Sequence, residues 1–469
     1  MLNKKTTRTL VITLILVLLV AAFAGCTTDA GKDQPADKPN ADAPKQEATG
    51  DSTENEKFEG TLKVQMIGGW KSEDSTDPQS GRKILGLHVL KEEFERLYPN
   101  ATVEFVIMGW DNYNEKTQAM MTGNECDIYQ VPGIANLVAQ DLVEPLAPYI
   151  EKDNYDLGKF IPGQIEGWQA MGSMDTELTT YGVPVLGDCR ILVYDKQIFD
   201  DWGVDYLSEE PTLEEIIEAA KKMTGTNPVT GEENYGVAWR GKTYSADTAI
   251  NFCEYYGGKW GENFKFEDME TYFDSPEMIK AVQTLYDLQE YAPEGMAANQ
   301  GAEKWLTAEN NIAIHLYVGP GFWMTAKELE LGDRYQASLL FVNPDTGMGG
   351  MFAGSPYVIG KTSENKELAW EFLKFFTDDF AQEYLFVEHK QMPVINSAAE
   401  WESIKNEPQM PVVMKALARA WAPRYPYRSA QPRYIFGSAV ERALLGEVTV
   451  EVAMQDCQKE VEEWLKQYK

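Results

Sequence analysis

The sequence predicts an α/β fold built on largely parallel sheets. Three observations point that way. From Phe58 onward the apolar spacing switches repeatedly between extended and helical periods, strand–helix–strand units follow one another at crossover distance, and the later helices carry explicit start signals. Residues 61–67 (TLKVQMI) read as the first strand, followed by a helix whose Leu87, Leu90, Phe94 and Leu97 share one face. Residues 102–108 (TVEFVIM) form the next strand, 115–121 the next helix and 127–131 a third strand. Ligands in such sheets sit beyond the carboxyl ends of the strands. The loops there are Gly68-Gly69-Trp70, Gly109-Trp110 and Pro132-Gly133. Further on, Thr212 and Glu215 form a capping box behind Pro211, ahead of Leu213, Ile216, Ile217, Ala220 and Met223. Ser275-Pro276 gives an N-cap with proline at the first helical position, and Ser363 starts a helix buried through Leu368, Phe372, Phe375 and Phe376. Residues 227–236 (NPVTGEENYG) read as a turn, because their acidic spacing fails the EF-hand pattern.

Composition narrows the function. The 469 residues are enough for two or three domain-sized units, and 43% hydrophobic content can bury a large core. A formal charge of −32 repels a phosphate backbone, which excludes a nucleic-acid partner. Three histidines leave little for a metal site, and the five cysteines form no C-x-x-C pair. Neither a metal nor a cofactor is expected, and a core of this size needs no disulfide. Cys189 beside Asp188 has no neighbouring histidine in sequence, which argues against nucleophilic catalysis.

Residues 1–25 read as a secretory leader: Lys4, Lys5 and Arg8, then an uncharged run ending in small residues, too short for a span. Phe23-Ala24-Gly25-Cys26 resembles the lipobox of bacterial lipoproteins, with Phe23 in place of the favoured leucine. That likeness implies diacylation of Cys26, and two acyl chains anchor stably. Losing the leader's three cations takes the formal charge from −32 to −35. Residues 27–57 contain no Val, Ile, Leu, Met, Phe, Tyr or Trp and are expected to be a disordered tether. Its mean reach is about 30 Å.

Several later segments stand in a telling order. They are 181–187 (YGVPVLG), 190–199 (RILVYDKQIF), Trp202-Gly203-Val204, Tyr256-Gly257-Gly258, 311–320 (NIAIHLYVGP) ahead of Trp323, Gly349-Gly350 and Gly354-Ser355. The series closes with 363–373 (SENKELAWEFL), Met392-Pro393-Val394 and 443–446 (ALLG). From about residue 58 to the end the chain resembles the extracellular solute-binding proteins of ABC importers, family 1, in the maltose- and oligosaccharide-binding branch. The resemblance implies a two-lobed, type II periplasmic-binding-protein-like fold in which crossing hinge segments join the lobes. It implies residues 58–187 plus 318–359 for lobe 1 and 188–317 plus 360–469 for lobe 2. It also implies a monomer that hands a carbohydrate to the transmembrane subunits of a permease. The place is the extracellular face of the membrane, in a Gram-positive-type envelope. The alternatives left standing are a secreted glycoside hydrolase and a binder of some non-sugar solute.

The residue chemistry agrees with a sugar site. Sugars need aromatic plates for their CH faces and planar polar groups for their hydroxyls. Candidates at loop positions are Trp70, Trp110, Trp239, Arg240, Tyr256, Tyr317, Trp323, Ser355 and Tyr357, with Arg190 opening its strand. The resemblance places Asp188 as a carboxylate for hydroxyls, Trp323 as a stacking platform and Tyr129 at a strand tip. Gly321 stands where relatives carry another aromatic, and Arg433 replaces a stacking tryptophan, which raises an acidic or strongly polar glycan. Against each aromatic stands plain core packing, against Asp188 a hinge carboxylate on backbone N–H groups, and against Arg240 and Arg433 ordinary salt bridges.

Overall fold

A computed structural model describes residues 55–78, 81–131, 133–165, 167–172, 178–262, 269–343, 345, 354–420 and 431–466. The expectations for the leader, Cys26 and most of the tether lie outside the described residues, as does the aromatic–Arg stretch 421–430. Among the described residues no helix is long and apolar enough to cross a membrane.

The sheet-forming strands are, in chain order, β1 (Glu59–Ile67), β2 (Asn100–Met108), β3 (Ile128–Gln130), β4 (Val183–Leu186), β5 (Ile191–Asp195), β6 (Gly225–Thr226), β7 (Glu233–Ala238), β8 (Ile312–Val318), β9 (Tyr335–Ser338) and β10 (Ser355–Ile359). They form two five-stranded sheets, β2-β1-β3-β10-β4 and β6-β7-β8-β5-β9. In the first, β1 runs parallel to β2 and β3, and only β10 is reversed. The second is mixed: β7 and β8 are parallel, while β5 pairs antiparallel with both β8 and β9. The two-lobed α/β architecture therefore holds, with parallel order stronger in the first sheet.

The helices that matter below are α1 (His88–Leu97), α2 (Tyr113–Thr122), α3 (Leu213–Lys222), α4 (Ser245–Tyr255), α5 (Pro276–Asp287), α6 (Phe322–Glu328), α7 (Lys366–Phe376), α8 (Asp379–His389), α9 (Met410–Arg419), α10 (Gln431–Leu444) and α11 (Val450–Leu465). Local chemistry sets their ends. Thr212 and Glu215 close both halves of the capping box on α3, and Ser275 caps α5 by accepting from the N–H of Met278. Helix α7 begins two residues later than Ser363 predicts. That hydroxyl instead donates to Asp127 Oδ1 at 2.6 Å and accepts from the N–H of Asn365, the actual N-cap position.

Two hydrophobic cores follow the two sheets, the first also taking in Ile191 and Val193 of β5 and Tyr335 and Ala337 of β9. Leu87, Leu90 and Phe94 of the first helical segment are fully buried in one of them. The packing revises the lobe boundaries implied by resemblance. Leu368, Phe372 and Phe376 of α7, Leu385 of α8 and Val413 of α9 bury their apolar faces in the first core, although 360–469 was assigned to lobe 2. Bridges from Gly360 to Val143 and from Ile395 to Phe160 tie the same stretch to lobe 1. Conversely, β9 belongs to the second sheet although it falls within 318–359. Of the helices after Gly360, only α10 and α11 pack in the second core.

One buried side chain joins the segments that pass between the cores. Gln164 is completely buried. Its Oε1 accepts from the N–H groups of Asp188 and Gly354, both at 3.0 Å. Its Nε2 donates to the carbonyls of Asp188 (3.0 Å) and Leu417 (2.9 Å). Asp188 lies on the β4–β5 crossing, Gly354 precedes β10, and Leu417 is near the end of α9. These strands lie so close that a Cβ on Gly354 would collide with the carbonyl oxygen of Leu186, and one on Gly187 would lie 2.6 Å from that of Met392.

Replacing Gln164 by leucine keeps the volume but strands two buried N–H groups and two carbonyls. We expect urea denaturation to show a loss of about 3 kcal/mol, a small number of orphaned polar groups at typical desolvation cost. Gln164→Glu, which keeps the acceptors and loses both donors, should fall between. A wild-type midpoint for Gln164→Leu would refute this role.

Candidate functional site

The first crossing delivers Asp188 and Arg190 side by side. Arg190 Nη1 donates to Asp188 Oδ1 at 2.5 Å and to the Cys189 carbonyl at 2.7 Å, and the Cys189 N–H also donates to Asp188 Oδ1. Burial pushes the Asp188 carboxyl above the ordinary range, and Arg190 opposes that rise. The Arg190 guanidinium lies 4.9 Å from the ring centre of Tyr317, which stands at the carboxyl end of β8. Tyr317 donates its hydroxyl to Asp247 Oδ2 at 3.2 Å. Asp247, in the first turn of α4, is gripped by the fork of Arg433 from α10, Nε to Oδ1 at 2.8 Å and Nη2 to Oδ2 at 2.6 Å. The result is a ladder, Asp188–Arg190–Tyr317–Asp247–Arg433, in which each cation has its own carboxylate.

Beside the ladder, beyond the ends of β7 and β8, is a cavity of about 280 Å³ lined by Trp239, Arg240, Asn299, Glu303, His315 and Tyr317 among others. Arg240 is exposed, and its guanidinium lies 3.6 Å from the centre of the Tyr244 ring. Tyr244 meets Tyr317 edge to face at 5.9 Å. Opposite stands the first lobe. Trp110 is 55% exposed and packs edge to face on Tyr113 at 5.3 Å. The Tyr113 phenol is pushed up to about 12, chiefly by burial, and feels Tyr434, Arg433 and Tyr244 of the second lobe. The strand ends of the two sheets therefore face each other here.

The structure brings Trp110, Asp188, Arg190, Trp239, Arg240, Tyr317 and Arg433 into this region. It removes six other candidates. Trp70 is buried, its Nε1 donating to the Ile67 carbonyl at 3.0 Å. Tyr129 and Tyr357 are fully buried strand residues; the Tyr129 hydroxyl donates to the Met120 carbonyl, and that of Tyr357 donates to Gln130 Oε1. Trp323 packs in the first core near Phe386, with Lys327 over its ring. Tyr256 turns to Thr284 and Lys280 on α5. Ser355 opens β10 opposite Leu186. Tyr129 and Tyr357 on strands and Trp323 on a helix face the first core, a distinction that loop location alone does not make. Cys126, Cys189, Cys253 and Cys457 are buried free thiols, and burial raises the Cys189 thiol well above its usual range, the opposite of activation.

Tyr113, Tyr244 and Asp247 were missed. Tyr113 and Tyr244 follow the Trp110 and Trp239-Arg240 loops at short range, a signal that was available. Asp247 reads in sequence as a helix-dipole acid, and its partner Arg433 lies 186 residues away.

Residues 84–383 match the family model described as bacterial extracellular solute-binding protein. The maltotriose-binding protein of Pyrococcus abyssi is 24% identical over 330 residues, 68% of this chain and 65% of its own length. Among solved structures, maltose-bound MalE3 of T. maritima superposes with a TM-score of 0.66 at 20% identity, covering 86% of this chain and 99% of that one. The sugar-binding protein MalE of Xanthomonas citri gives 0.69 at 19% identity, covering 87% and 98%. At these identities the structural likeness speaks for the fold.

His315 supplies a test of the site's electrostatics. Burial, with Arg240 nearby, holds its imidazole down to about 3, and burial holds His389 down to about 4, against an ordinary 6.5. Both bases have folded pKa values below their unfolded ones, so the unfolded chain binds the extra protons as pH drops from 6.5 to 4. Stability should therefore fall with acidification through that window. His315→Gln should flatten the slope of urea stability against pH by about one proton. An unchanged slope would refute the assignment.

Proposed function

Because the chain belongs to the bacterial extracellular solute-binding protein family, we propose that it is the ligand-capturing component of an ABC importer, holding a carbohydrate between its lobes. The family is one of binding proteins rather than enzymes. The observation that carries the reading is the pairing of aromatic faces with fixed polar edges from both lobes: Trp110 and Tyr113 on one side, Tyr244, Tyr317 and the ion-pair ladder on the other. Such a lining suits apolar CH faces and a rim of hydroxyls. The maltose and maltotriose named for the similar proteins support the same ligand class.

On this reading lobe 1 is the first sheet with α1, α2 and α6 to α9, and lobe 2 is the second sheet with α3 to α5, α10 and α11. The lobes rotate about the crossing segments, and a ligand that bonds both lobes only in the closed state biases the equilibrium towards it. The closed form docks on the transmembrane subunits of the permease. The leader is cleaved before Cys26, acyl chains on that residue hold the monomer at the extracellular face of the membrane, and the tether sets its local concentration near the permease.

A melting screen against a saccharide panel tests the ligand class, since a ligand at 100 times its Kd adds about 2.7 kcal/mol of apparent stability. At least one saccharide should raise the melt and change tryptophan fluorescence. Trp110→Ala should weaken that hit about tenfold, the upper range for an aromatic contact, while leaving the free protein's Tm unchanged. Melting shifts with peptides or polyamines alone, or cleavage of the glycans, would overturn the carbohydrate-carrier reading. Palmitate labelling that persists in Cys26→Ser would overturn the anchor.

A further inference from the structure

We propose that the cavity beyond β7 and β8 is an oxyanion subsite, so that the carbohydrate bears an acidic group, a uronate carboxylate or a phosphate ester, seated against Arg240. This rests on the carbohydrate reading above and adds the charge of the ligand.

The argument is a donor and acceptor count around the cavity. Arg240 is stacked on Tyr244 and, among the described residues, has no carboxylate within ion-pair distance, unlike Arg190 and Arg433. His315 is 8% exposed, and its Nδ1 already accepts from the N–H of Tyr317 at 3.1 Å. The neutral ring must therefore carry its proton on Nε2, which has no protein partner and is left to donate. Asn299 Oδ1 accepts from the N–H of Gly241 at 2.9 Å, which fixes the amide and leaves its NH2 free. Trp239 is 1% exposed, and its buried Nε1–H has no partner among the described residues. A buried N–H without an acceptor is costly unless a ligand supplies one.

Two of the three carboxylates near the cavity are, by contrast, engaged by cations. Asp247 takes Arg433 and Tyr317, and Asp188 takes Arg190. Glu303, the carboxylate among the lining residues, is exposed and accepts from the N–H of Gly301 at 3.0 Å. A neutral sugar hydroxyl both donates and accepts, so it finds half its partners here. An oxyanion only accepts, which suits a lining that offers the N–H groups of Arg240, His315 and Asn299. Arg433, which the sequence offered as the acid-reading residue, is already neutralised by Asp247, and that role passes to Arg240.

The test is titration calorimetry on the purified protein with matched pairs: cellobiouronic acid against cellobiose, digalacturonate against galactobiose, and glucose 6-phosphate against glucose. We expect at least one acidic member to bind tenfold or more tighter than its neutral partner, with affinity falling as salt rises. The acidic series that wins identifies the oxyanion as carboxylate or phosphate. Arg240→Gln should erase the preference for the acidic member of the pair, and Arg240→Lys should keep part of it. Arg240 is exposed, so both variants should melt as wild type, and His315→Gln gives a second, weaker loss. Neutral saccharides binding as well as acidic ones, with Arg240→Gln leaving the ratio unchanged, would overturn the subsite and leave the carbohydrate carrier intact. Failure of every saccharide, acidic and neutral, would overturn the carbohydrate reading and this one with it.

Discussion

A single buried amide connects the segments on which the two lobes depend. Gln164 spends both lone pairs and both protons on backbone groups of three chain segments: the β4–β5 crossing, the approach to β10 and the last turn of α9. Backbone groups at a crossing cannot use a sheet ladder, because the strands there are leaving one sheet for another. A side-chain amide is the smallest group that can satisfy both a donor and an acceptor on the same residue, as it does on Asp188. The close approach that this requires explains the glycines at 187 and 354, where a Cβ would meet a carbonyl. The joint is not polar alone, since Ile191, Val193, Tyr335 and Ala337 of the second sheet also pack in the first core.

The crossing also sets the chemistry of the site. Because Asp188 is held by its backbone, its carboxylate is aimed at Arg190, and Arg190 is thereby laid over Tyr317. Tyr317 passes the order on to Asp247, and Asp247 to Arg433 on a helix far along the chain. Removing one member leaves an uncompensated charge at a buried position, which is why such ladders resist piecemeal change. The ladder is a rigid frame rather than a reservoir of free charge. What remains free to meet a ligand is at its margin, in the aromatic faces and in the N–H groups of the cavity.

Local order was legible in the sequence where a signal has a short range. The capping box at Thr212, the N-cap at Ser275 and the buried stripe of α1 need only neighbours within one turn. The order of motifs supplied the two-lobed plan through resemblance. Allocation of the helices after Gly360 was not legible, because Leu368, Phe372 and Phe376 say that a face is buried and not against which sheet. The site was half legible for the same reason. Trp110 and Trp70 look alike after a strand, yet one is exposed and the other folds its N–H onto the Ile67 carbonyl. The Asp247–Arg433 fork spans 186 residues and leaves no trace in either neighbourhood.

An acidic ligand on a chain of formal charge −32 looks contradictory, and distance resolves it. At physiological salt the field of an exposed carboxylate fades over about 8 Å. Contact groups therefore dominate inside a cavity, and the distributed surface charge contributes a shallow background. Of the acids nearest the cavity, Asp188 and Asp247 are paired with arginines, and Glu303 is exposed to screening solvent. Arg240 then presents a positive edge to a volume lined also by the N–H groups of His315 and Asn299. The surrounding negative surface adds selectivity of its own, because it disfavours an anion away from these donors. An acidic glycan would be repelled by the body of the protein and accepted only at the one place built to hold it.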